Sequence, residues 1–247
     1  MGSPAFYWQG AREVYAAGDY MKTLQNLDNL LATDNEFVAR ALPWDLVMKS
    51  GIAQGYMEAA DSYAQGMKAS ADPTAFRRQV SQNRDSASQL ALQFAEDFAK
   101  IDKLKGDTFS LEFAYPKGTA AAVTQFTKVA TGAALTPAEA EAAQQRSIER
   151  GVLLSACRAV GAPDDTAKTQ DLLKAGVTTV PRATFLAAMA DSLYRFSQLY
   201  APDKLDEPQK RDALLQRAQA ALTGVPDTKE TKELKGQIEV AIQTSKK

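Results

Sequence analysis

Histidine is absent from the chain, and cysteine occurs once, at Cys157. The first absence removes the commonest general base, the commonest metal ligand and the usual pH switch together. The second excludes an intramolecular disulfide and a thiolate metal cluster, so cysteine usage does not point to a redox compartment. Charge of one sign is also lacking: 29 Lys and Arg stand against 30 Asp and Glu, a net charge of -1. No long-range field gathers nucleic acid or an anionic membrane surface, so nucleic acid is not an expected partner. No run approaches the roughly 20 apolar residues that cross a bilayer, and no transmembrane segment is expected. Glycine loops for phosphate, calcium loops and zinc spacings are missing too, so no cofactor and no metal are expected. Met1-Gly2-Ser3 reads as a cloning start, and a leader or lipid anchor cut away there would favour an exported, periplasmic location.

What is present is enough apolar character, 45% over 247 residues, to bury a sizeable core. Residues 5–31 laid over 41–67, an offset of 36, pair Ala5 with Ala41, Phe6 with Leu42, Trp8 with Trp44, Tyr20 with Tyr56 and Leu31 with Met67. Trp8 and Trp44 are the two tryptophans of the chain. Helical spacing follows in Tyr20, Thr23, Leu24, Leu27, Leu30 and Leu31, and again in Tyr56, Ala59, Ala60, Tyr63 and Met67. Each run reads as the second helix of a hairpin, with turns at Ala17-Gly18-Asp19 and at Gln54-Gly55.

Trp8-x2-Ala11-Arg12-x2-Tyr15, followed by Gly18-Asp19-Tyr20, resembles the first helix and turn of a tetratricopeptide repeat. The second unit is similar at Trp44, Leu46-Val47, Gly55-Tyr56, Ala59 and Tyr63. It departs where Gly51 replaces the first-helix tyrosine and where the closing proline is missing. Near the C-terminus, Ala218, Ala221-Leu222 and Pro226 fall where that family has its late alanines and closing proline. The resemblance implies an all-α, irregular tetratricopeptide-like antiparallel helix-hairpin solenoid.

The whole chain, 1–247, reads as one helical-repeat domain, with two helix pairs in 1–70, divergent helices in 72–180, and a C-terminal pair plus capping helix in 181–247. Asp72-Pro73 opens a helix that runs through Phe76, Val80, Leu90, Phe94 and Phe98 towards Leu104, either unbroken or as a pair. Residues 106–118 alternate Phe109, Leu111, Phe113 and Tyr115, an extended pattern read as an ordered loop. Thr136-Pro137-Ala138-Glu139 has capping-box spacing, and Gly161 closes the helix it opens. Helices follow between Pro163 and Gly176, from Phe185 to Tyr200 and from about Glu207 to Leu222. Asp227-x-x-Glu230 caps a last helix with a Leu234, Ile238, Ile242 stripe, as expected of a terminal helix in a solenoid.

Catalytic constellations are missing. Cys157 lies among Leu153, Leu154, Ala156 and Val160 and reads as a small buried hydrophobe. Glu96-Asp97, Asp164-Asp165 and Glu139/Glu141 are adjacent or alternate on helices, so they diverge and read as caps and solvated faces. Arg77-Arg78 with Arg84 reads as surface. The expectation is therefore a non-enzymatic scaffold or adaptor that binds a protein or peptide, with self-association left open.

The resemblance places the candidate binding residues on the N-terminal pairs: Trp8, Arg12, Tyr15, Trp44 and Met48. One register packs both tryptophans between helices. The other stacks them as a ladder on the concave face, joined by Arg12 and Met48, residue types that dominate binding hot spots. An alternative is an exported bacterial solute-binding or transport-accessory protein enclosing a small apolar ligand, with 106–118 as lid or pocket wall.

Overall fold

The computed structural model describes residues 2–245. It is 71% helical, which makes the chain mostly α, with one two-stranded sheet. The N-terminal hairpin forms as its sequence predicts. Ser3 caps α1 (Pro4–Ala17), accepting from the Phe6 N–H, and Pro4 at the first helical position has no N–H to leave unpaired. Gly18 ends the helix at φ 89°, a left-handed conformation that costs glycine little, and Asp19 caps α2 (Tyr20–Leu31). Tyr20, Thr23, Leu24, Leu27 and Leu30 form the buried stripe of α2.

The second expected hairpin is instead one helix. α3 (Val38–Ala69) runs unbroken for 32 residues, about 48 Å at 1.5 Å per residue, and Gln54-Gly55 lies inside it rather than in a turn. Every residue from Ala41 to Ala53 is buried, so this part is covered on all sides and serves as the central element. α4 (Thr74–Phe98), a single helix, packs along it, as does α6 (Pro137–Ala159), while α2, α5 (Thr124–Ala130) and α8 (Arg182–Ser197) complete the surround. The glycine that resembled a turn is there for close approach to α6. A Cβ on Gly55 would stand 2.8 Å from the Ser147 carbonyl, and one on Gly151 would stand closer still to the Gly51 carbonyl. The Ser147 hydroxyl donates to the Gly55 carbonyl across the crossing at 2.9 Å.

Part of the extended segment is a strand rather than a loop: β1 (Thr108–Leu111) pairs antiparallel with β2 (Thr178–Pro181), Phe109 opposite Val180, while 112–118 carry no regular structure. Phe109, Leu111 and Phe113 all point into the core. The Thr136/Glu139 capping box is complete at the start of α6, and Gly161 follows its end at φ 71°. α7 (Thr166–Leu173) is capped by Asp165. The C-terminal helices α8, α9 (Pro208–Ala221) and α10 (Lys229–Ser245) pack on one another. The cap of α10 is one residue from where its sequence suggests: Thr228 and Thr231 exchange bonds reciprocally, and Asp227 pairs with Lys235. One core runs from Trp8 to Ala241, with a satellite around Tyr63, Phe76 and Phe126.

Candidate functional site

Two clusters meet on α3, and consecutive residues anchor them. Trp44 is 1% exposed and sits in an aromatic cluster. Its ring lies edge-on to Trp8 at 5.6 Å and to Tyr15 at 5.2 Å, and stacks on Phe113 at 6.0 Å. The tryptophans therefore take the core register, not the open ladder. Tyr15 and Met48 are buried with them, and of the five candidate residues only Arg12 is exposed. The segment after β1 closes this cluster: the Tyr15 hydroxyl donates to the Ala114 carbonyl and the Tyr20 hydroxyl to the Lys117 carbonyl, each at 2.9 Å. Burial, with Tyr20 nearby, holds the Tyr15 phenol well above its ordinary pKa. Trp44 Nε1 is buried without a hydrogen-bond partner among the described residues.

At its solvent side the cluster carries charge. Arg40 lies 4.7 Å over the Trp8 ring and 5.7 Å from that of Phe37, which itself stacks on Trp8 at 5.6 Å. The Arg40 guanidinium forms a two-pronged pair with Glu112, Nε to Oε1 at 2.7 Å and Nη2 to Oε2. That pair holds the Glu112 carboxyl below its usual range, with Arg12 adding to the same effect from α1. Two guanidiniums thus act on one carboxylate, and that of Arg40 lies on an aromatic floor.

Asp45 begins the second cluster. It is fully buried, and one helical turn on lies Lys49, 1% exposed. Lys49 Nζ donates to both Asp45 oxygens at 2.8 Å, to Asp28 of α2 at 2.7 Å and to Asp97 of α4 at 2.6 Å. An oxygen from each of these carboxylates lies within 4.8 Å of the others, a spacing that suits a metal ion. The ammonium already stands among them, so the arrangement is an ion-pair cage. Burial pushes the Asp45 carboxyl up to about 7 against the pull of Lys49, and Asp97 and Asp28 add repulsion. Burial also disfavours the Lys49 charge, but the surrounding carboxylates outweigh it and hold the ammonium above its ordinary pKa. Asp97 sits low despite partial burial, because Lys100 and Lys49 both donate to it. Sequence reasoning missed this cage and read Asp97 as surface. The available signal was an Asp and a Lys at i,i+4 inside the apolar run from Ala41 to Ala53.

No family, curated protein or solved structure matches the chain.

A third polar set links α3, α6 and α8. Ser50 and Ser192 hydroxyls meet at 2.7 Å, Gln54 donates to Ser50 at 3.0 Å, and Arg158 donates to Gln54 at 2.7 Å. Burial lowers the Arg158 pKa to about 10, with Asp191 at 3.5 Å opposing. Cys157 is fully buried, and desolvation raises its thiol pKa. Arg77 and Arg78 are exposed, as expected, whereas Arg84 is half-buried and donates to the Lys204 carbonyl at 3.2 Å, so the third arginine of that group is not a free surface charge. Open clefts among the described residues include one of about 480 Å³ beside Ala138, Ala142, Gln145 and Ile148 of α6 and one of about 260 Å³ between α9 and α10.

Proposed function

We propose that the chain is a non-enzymatic scaffold or adaptor that binds an acidic segment of a partner protein on the face of its N-terminal hairpin. The observation that carries this reading is positive charge beside an aromatic floor: Arg40 lies over Trp8 and Phe37 and pairs with Glu112, and Arg12 acts on the same carboxylate from α1. Arginine and large aromatics are the side chains most often found at the energetic centre of protein interfaces. A partner carboxylate would find in Arg12 an exposed guanidinium whose charge already reaches Glu112.

The α1–α2 hairpin with its Gly18-Asp19 turn supports a tetratricopeptide-like unit at this end, and the packed pair α8–α9 supports another at the far end, with α10 as its capping helix. The long α3 makes such a solenoid irregular. In this reading Trp8 forms the floor with Phe37, Trp44, Tyr15 and Met48 support it from beneath, and Arg12 makes contact.

Selection of a random peptide display library on the full chain tests the reading. Enriched peptides are expected to be rich in Asp and Glu and to lose at least about tenfold in affinity with Arg12→Glu, the equivalent of about 1.4 kcal/mol. Enrichment of no peptide, or of peptides indifferent to Arg12→Glu, would overturn it.

A further inference from the structure

The cage around Lys49 has a charge imbalance that the fold does not need for packing. Three carboxylates share one ammonium within hydrogen-bond distance, and two of the three carboxylates come from neighbouring helices. The charged groups that face Asp45 are Lys49 on its own helix, Asp28 from α2 and Asp97 from α4, with Lys100 beyond Asp97 on its outer oxygen at 2.6 Å. With all of them ionised, three negative charges oppose two positive ones. Like charges held this close titrate together, and the least solvated carboxyl takes up the proton first. That carboxyl is Asp45, which has no exposed surface. The group most able to leave is Asp28, whose side chain is 45% exposed and which is the link from α2 into the cage.

We propose that the proton on Asp45 sets how tightly Asp28 clasps α2 to α3, and so regulates the binding face carried by the same N-terminal hairpin. The regulatory half of this inference rests on that face being a binding site; the clasp itself does not. With Asp45 protonated, Lys49 and Lys100 balance Asp28 and Asp97, and the clasp is closed. When Asp45 loses its proton, the cage holds one negative charge too many, and Asp28 is displaced towards water. The hydrophobic stripe of α2 stays in place, so α2 loosens without unfolding. The ionisation of Asp45 lies near neutrality because burial opposes it.

Hydrogen exchange of the full chain, read by mass spectrometry at about pH 5.5 and about pH 8.5 and corrected for intrinsic exchange, measures the clasp without any ligand. Segments from 20–31 are expected to exchange ~10-fold faster at the higher pH, a change of about one pKa unit in linkage, while 137–159 keep their protection. Asp45→Asn should hold 20–31 at the slow rate at both pH values. Asp28→Asn, at a position 45% exposed, should abolish the pH dependence too, because no carboxylate remains there to be expelled. Protection of 20–31 that ignores pH in the unaltered chain, or a pH dependence that survives either substitution, would overturn the clasp. Affinity for an acidic peptide that weakens in step with the exchange supports regulation, and constant affinity overturns that half. Absence of peptide binding at both pH values overturns the face and its regulation, while the exchange result stands on its own.

Discussion

Trp44 and Asp45 are neighbours in the chain, both are buried, and they are held by opposite kinds of physics. Around Trp44 the contacts are apolar and add up with buried area, and no single partner decides the outcome. Around Asp45 the energy is a small difference between large terms, desolvation against attraction, so each partner matters and so does each proton. The contrast shows how one helix can serve as both a rigid core and a sensor: the aromatic side fixes α1 and the 112–117 segment, and the charged side ties in α2 and α4.

Substitutions should separate the two. Trp44→Ala is expected to cost about 3–5 kcal/mol in urea unfolding, with the same loss at every pH between about 5 and 9, because nothing in that cluster titrates there. A pH-dependent loss would merge the two clusters into one. Lys49→Met should cost about 3 kcal/mol by stranding a buried carboxylate, and adding Asp45→Leu should recover most of it. A double variant as unstable as the single one would mean that Lys49 matters for packing rather than charge. Tyr15→Phe, which removes the bond to the Ala114 carbonyl, should cost about 1 kcal/mol. Arg12→Glu should stay within about 0.5 kcal/mol in stability, its effect showing in peptide affinity alone.

The pH dependence has opposing parts. Asp45 is raised, so the folded state holds a proton that the unfolded chain has released. Its stabilisation is complete below the ordinary carboxylate value near 4 and is lost as pH rises towards about 7. Asp97 is lowered, so its contribution is present above that ordinary value and is lost as pH falls below it. Equilibrium unfolding of the unaltered chain should therefore weaken from mildly acidic to neutral pH, and Asp45→Asn should remove that slope. A chain that gains stability across this window would contradict the assignment.

The local elements were largely legible. The α2 stripe, the Gly18 turn, the Thr136 capping box and the buried Cys157 each follow from signals within a few residues. Two features were not. Gln54-Gly55 looks like a turn in sequence, because glycine for a bend and glycine for a tight helix crossing are the same letter; only Ser147 and Gly151 on α6 decide between them. β1 could not be told from a loop because its partner β2 lies far along the chain and is four residues long. The cage was half legible: Asp45 and Lys49 stand out in an apolar run, while Asp28 and Asp97 arrive through tertiary packing that no local spacing encodes. The arginine face was visible in Arg12 but not in Arg40 and Glu112, which meet across 72 residues.

The most direct test of the contrast is a carbon-13 NMR titration of the Asp45 side-chain carboxyl in the intact protein. A midpoint of about 7 would show that this cluster carries a proton near neutrality. A midpoint at or below the ordinary value of about 3.9 would show Asp45 fully ionised in a static ion pair and would contradict the account.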